Sequence, residues 1–81
     1  MNQAFLNFDR IVVDPEICVG KPHIKGTRMP VDSILAYLGG GMPIDEFLNE
    51  FNWLTREDIL QALSFSARML SERYIPLRQA S

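Results

Sequence analysis

The residues best suited to chemistry are grouped between Gly20 and Arg28, where Lys21, Lys25 and Arg28 occur with no acid among them. His23 and Thr27 lie in the same stretch, framed by Gly20 and Gly26. Cationic side chains, a hydroxyl and glycine backbone that can approach closely suit a phosphate group. A nucleotide-binding P-loop is excluded, because it needs Gly-x-x-x-x-Gly-Lys-Ser/Thr after a buried strand and before a helix. Here Lys25 precedes Gly26, Thr27-Arg28 follows it, and Pro22 and Pro30 flank the loop. Two roles for Arg28 follow from its type. It is either a contact to DNA phosphate or a strut paired with Asp14 or Asp32, tying the segment to the helices.

Catalysis finds little support, and no catalytic residue, metal ligand or cofactor is expected. His23 and Cys18 are the single examples of their types. A nucleophile–base pair built from them lacks a group to orient it, and together they fall short of the four ligands of a structural zinc site. The adjacent acids Asp45-Glu46 and Glu57-Asp58 stand at helix starts, where capping and the helix dipole account for them. Cys18 reads as a small buried hydrophobe and Trp53 as a core plug between two helices.

With 81 residues, 47% hydrophobic and 22% charged, the composition is that of one globular domain spanning 1–81. A domain of this size buries only about 60% of its unfolded surface, so self-association is a natural supplement. One cysteine forms no internal disulfide, and the absence of a signal peptide or long apolar run predicts a cytoplasmic protein without membrane contact. Eight basic and ten acidic residues give a formal net charge of -2, which excludes a uniformly basic nucleic-acid coat but not a local patch. Charge is segregated. From Met42 to Asp58 five acids face one base, Arg56, whereas from Ile59 onward Arg68, Arg73 and Arg78 face only Glu72. A nucleic-acid footprint would therefore use the Gly20–Arg28 loop and the back half of the last helix.

The elements that position these groups are punctuated by glycine and proline. Ile11-Val12-Val13 predicts a short strand ended by Asp14-Pro15, and a second short strand fits His23-Ile24-Lys25. Residues 1–30 thus form an extended arm, 31–76 a helical core and 77–81 a tail. Helix one is expected from Asp32, its N-cap, to Leu38, with Gly39-Gly40-Gly41 ending it. Helix two starts at Pro43 as its first residue, with Ile44, Phe47, Leu48 and Phe51 inward. Thr55 caps helix three with Asp58 as the reciprocal acid, and Pro76 ends it. Along helix three, Leu60, Leu63, Ala67, Leu70 and Tyr74 form the predicted core face, with Ile59 beside them. Ala62, Phe65 and Met69 form a second apolar stripe. That stripe is covered either by the N-terminal arm of the same chain or by a dimer mate or partner.

The run Ile11-Val12-Val13-Asp14-Pro15, with Gly20-Lys21-Pro22 and Gly26-Thr27-Arg28 after it, resembles the opening of the bacterial family known as domain of unknown function 433. Gly41-Met42-Pro43 through Phe51, and Leu54-Thr55 with Asp58-Ile59 and Ala62-Leu63, are similar to its second half. The resemblance covers about Ile11 to Ala67. It implies a mainly α, homeodomain-like three-helix fold of helix–turn–helix type with a short N-terminal strand arm. It also implies an antitoxin-type role beside a toxin with a PIN-nuclease-like fold. The expected nucleic-acid contacts, to double-stranded operator DNA, are Lys21, Lys25, Thr27, Arg28, Arg56, Gln61 and Arg68, with Ser64 a further base reader. The expected contacts of a homodimer or partner are Ala62, Phe65 and Met69. The competing reading is a protein-interaction module without nucleic-acid binding, on whose acids Asp45, Glu46 and Glu50 a basic toxin docks.

Overall fold

The computed structural model of the chain describes residues 3–5 and 8–72. Three strands, β1 (Gln3–Phe5), β2 (Phe8–Val13) and β3 (His23–Ile24), precede three helices, α1 (Val31–Gly39), α2 (Ile44–Glu50) and α3 (Arg56–Glu72). The fold is mainly α with a strand arm, as expected. The arm is a three-stranded antiparallel sheet in the order β1-β2-β3. In β2 the β-branched run places both Ile11 and Val12 in the interior. Ile11 pairs with Ile24 across the ladder. One hydrophobic cluster takes Ile11, Ile24 and Met29 from the arm and Ile34, Phe47, Leu54 and Ile59 from the helical half. Sheet and helices therefore share a core.

Helix boundaries differ from expectation by about one residue. Pro30, not Asp32, is the residue before α1, its carbonyl accepting from the N–H groups of Ser33 and Ile34 at 3.2 and 3.4 Å. Asp32 lies inside the first turn and pairs with Lys21. Pro43 likewise precedes α2 with extended backbone, and its carbonyl accepts the Phe47 N–H. Gly39 closes α1, and Gly41 turns the chain with φ of 107°. At α3 the capping box forms as expected: Asp58 N–H donates to Thr55 Oγ1 at 3.2 Å, and Thr55 N–H donates to Asp58 Oδ2 at 2.9 Å.

The buried side of α3 is rotated relative to expectation: Ile59 and Leu63 face the core as expected, but Leu60, Ala67 and Leu70 do not. Ile59, Ala62 and Phe65 are buried in the chain's own core, with Met69 packed against it. Leu60 is 47% and Leu70 72% exposed, and Ala67 is exposed as well. Ala62 and Phe65 are thus not available to a dimer mate or partner. The arm covers this side, as one of the two readings anticipated, with Phe8 packing edge to face on Phe65 at 5.7 Å between centroids. Two further expectations fail. Trp53 is 55% exposed because Leu54, its neighbour in the link, takes the interior place. Cys18 is only half-buried and begins a left-handed turn, Cys18, Val19 and Gly20 having φ of 55°, 55° and 77°. For a β-branched residue such as Val19 this conformation is strained, at a cost of about 1–3 kcal/mol. Arg73, Tyr74, Pro76, Arg78 and the 77–81 tail lie outside the described residues.

Candidate functional site

The loop between β3 and α1 is held by its own small residues. Thr27 donates its hydroxyl to the Ile24 carbonyl at 2.8 Å and accepts the Met29 N–H at 3.0 Å. Its backbone N–H also reaches the Ile24 carbonyl, and Ile24 N–H donates to Met29 O. Gly26, with φ of 78°, takes the left-handed corner that this tight turn requires. Thr27 is therefore a turn-forming residue, with its hydroxyl spent on the loop. The cations of the loop divide. Lys21 pairs with Asp32 at 3.1 Å, both side chains being largely solvated, so the pair adds little stability. Lys25 and Arg28 are exposed and have no ion-pair partner among the described residues. Among the described residues Arg28 forms an ion pair with neither expected strut partner, Asp14 or Asp32, and Asp32 is paired with Lys21. It is the backbone of Arg28 that is tethered, its carbonyl accepting from Cys18 Sγ at 3.3 Å.

Arg28 lines an open cleft of about 620 Å³ together with Ile17, His23, Gly26, Thr27 and Trp53. His23 is 1% exposed, and its Nδ1 lies 3.2 Å from the Lys21 carbonyl oxygen. A carbonyl only accepts, so Nδ1 is the protonated nitrogen in this contact. Trp53 is held at one side by Phe51, edge-on at 6.0 Å, which in turn packs on Phe47. The cleft thus has Arg28, Trp53 and His23 together among its lining residues.

On α3 the expected base readers are engaged elsewhere. Arg56 pairs with Asp45, and Arg68 with Glu72 at 2.9 Å one turn along. Both pairs are exposed and can open to a stronger partner. Gln61 is more firmly committed. Its Nε2 donates to Asp9 at 2.7 Å and Glu57 at 2.8 Å, while its Oε1 accepts the Arg10 N–H at 2.9 Å. It stitches β2 to α3. Ser64 is exposed on the same helix. Sequence reasoning missed Arg10, whose Nε donates to the buried Asp58 at 2.6 Å. No local spacing reveals that pair, because its members are 48 residues apart. The outer side of α3 exposes Leu60 and Leu70, and an apolar groove of about 340 Å³ between α1 and α3 is lined in part by Leu35, Met69 and Leu70.

Among the described residues no three His, Cys, Asp or Glu side chains are grouped to hold a metal, and no helix is long and apolar enough to cross a membrane. The family described as protein of unknown function (DUF433) matches residues 11–66, well over half of the chain. The chain belongs to the DUF433 family. A DUF433 member from Anabaena variabilis, known from its crystal structure, shares 32% identity and a TM-score of 0.73 over 78% of this chain and 62% of that one. The chain thus spans about three fifths of that protein's length. An uncharacterized protein of Archaeoglobus fulgidus is 64% identical over 25 residues, which are 31% of this chain and 69% of that protein. The DUF433 segment contains the Lys21–Arg28 loop, Trp53 and the Thr55–Asp58 capping box, while Arg10, Arg68 and Leu70 lie just outside it.

Proposed function

We propose that this DUF433 protein is a non-catalytic binding protein of the antitoxin type that holds a basic protein partner, a PIN-nuclease-like toxin, against the outer row of α3. The observation that carries this reading is the exposure of Leu60 and Leu70 on a helix whose other side already fills the core. Burying a leucine side chain contributes about 1.5–3 kcal/mol, so a partner regains what folding leaves unused. Charge favours a basic partner, because Asp45, Glu46 and Glu50 of α2 are exposed and only Asp45 is paired with a base among the described residues. Co-expression with the product of the neighbouring gene tests this. The two proteins are expected to purify as one complex, and Leu60→Glu with Leu70→Glu should weaken it at least roughly tenfold, since about 1.4 kcal/mol is one decade. A double variant that binds undiminished, or a second copy of this chain on the same row in place of the toxin, contradicts it.

A second reading, contact with operator DNA, is favoured by Lys25 and Arg28 on one turn without ion-pair partners among the described residues. Gln61 is held between β2 and α3, and Arg56 and Arg68 reach a phosphate only by opening their exposed pairs, so the footprint centres on the loop. A gel shift with the upstream DNA should show a shallow salt dependence. Two phosphate contacts give a slope of about -2 in log affinity against log salt. Lys25→Ala with Arg28→Ala should remove the shift, and absence of binding by the parent at low salt excludes this reading.

A further inference from the structure

The cleft between the β3–α1 loop and Trp53 carries chemistry that neither reading uses. A phosphate contact needs only an exposed cation. Arg28, however, shares its cleft with the half-exposed Trp53 and the buried His23. We propose that this cleft binds a nucleotide unit, with the base against Trp53 and the phosphate on Arg28.

Each wall matches one part of such a ligand. The guanidinium of Arg28 suits a bidentate phosphate contact. The backbone that carries it is fixed by the Cys18 Sγ contact to its carbonyl and by the Thr27 hydroxyl bridging Ile24 and Met29. The left-handed turn at Cys18–Gly20 delivers that sulfur, which gives the strained backbone a positioning role. Trp53 packs against Phe51 and is 55% exposed, so more than half of its surface is open for stacking. His23, fixed by its Nδ1 at 3.2 Å from the Lys21 carbonyl oxygen, forms part of the cleft's inner wall. The volume of about 620 Å³ falls within the range of small-ligand sites. Inorganic phosphate would meet only the cation, and an uncharged aromatic only the indole; a nucleotide uses both. The inference shares Arg28 with the DNA reading but does not depend on it.

The protein contains a single tryptophan, so fluorescence excited at the red edge of the indole band reports this cleft directly. Titration with AMP is expected to give a saturable change in Trp53 emission, with adenosine and inorganic phosphate each binding roughly tenfold or more weakly. Arg28→Ala, at an exposed position, should keep the melting temperature and weaken AMP by a similar factor. Trp53→Ala, followed by calorimetry because the reporter is gone, should do the same. An oligo-dA octamer separates the sources. Tighter binding than AMP assigns the unit to a single strand, while equal or weaker binding assigns it to free nucleotide. The proposal is overturned if neither AMP nor the octamer gives a saturable change at millimolar concentration, or if AMP binds Arg28→Ala unchanged. A duplex that shifts in the gel while both AMP and the octamer fail overturns the cleft and leaves the DNA reading standing; AMP or octamer binding without a duplex shift supports the cleft alone.

Discussion

Asp58→Ala is expected to melt about 10–25 °C below the parent chain, corresponding to a loss of about 2–4 kcal/mol. The carboxylate is fully buried and has two separate duties. Its Oδ2 accepts the Thr55 N–H to close the start of α3, a cap worth about 1 kcal/mol. Its Oδ1 accepts the Arg10 Nε–H, a charge-assisted bond of about 1.5–3 kcal/mol. Arg10 also donates its backbone N–H to Gln61, so the pair and the amide together fasten β2 along α3. Arg10→Ala should cost a comparable amount, because it leaves the buried carboxylate without its cation. In a double-mutant cycle the two changes should fall short of additivity by about 1–3 kcal/mol. Strict additivity in thermal or urea unfolding would show that the pair does not couple arm to helix.

The larger loss is expected at Phe47. It is among the largest fully buried side chains, and Phe47→Ala should cost about 3–5 kcal/mol through lost transfer energy and the cavity left behind. That is a large share of the roughly 4–12 kcal/mol available to a chain of this size. The variant should be partly unfolded near room temperature, whereas Phe47→Leu should remain folded. Phe47 also supports the ring series that reaches the cleft, touching Tyr37 at 5.5 Å and Phe51 at 4.8 Å, with Trp53 beyond. Near-ultraviolet circular dichroism of the leucine variant should therefore change in the indole region while its helix content holds. A Phe47→Ala chain that melts within a few degrees of the parent contradicts this assignment of the core.

The helices were legible because glycine and proline bound them, and Thr55 and Asp58 carry the start of α3 in their spacing. The inward side of α3 was not legible. Ile59, Ala62, Phe65 and Met69 recur at helical spacing as regularly as Leu60, Leu63, Ala67 and Leu70 do, so periodicity offers two equal choices. Phe8 and Arg10 decide between them from some fifty residues earlier in the chain, by packing on Phe65 and pairing with Asp58. Similarly, the cluster of cations between Lys21 and Arg28 was visible, yet which of them stays unpaired depends on Lys21 reaching Asp32. Trp53 and Leu54 compete for one interior place, and composition favours the larger residue. The short link places Leu54 inside and leaves the indole at the cleft.

The most direct test of the account follows leucine and isoleucine methyl resonances as the neighbouring gene product is added to the folded chain. The methyls of Leu60 and Leu70 should shift or broaden while those of Ile11 and Ile59 stay fixed. Movement of Ile59 with Leu60 and Leu70 unchanged would mean that the partner takes the side of α3 assigned here to the core.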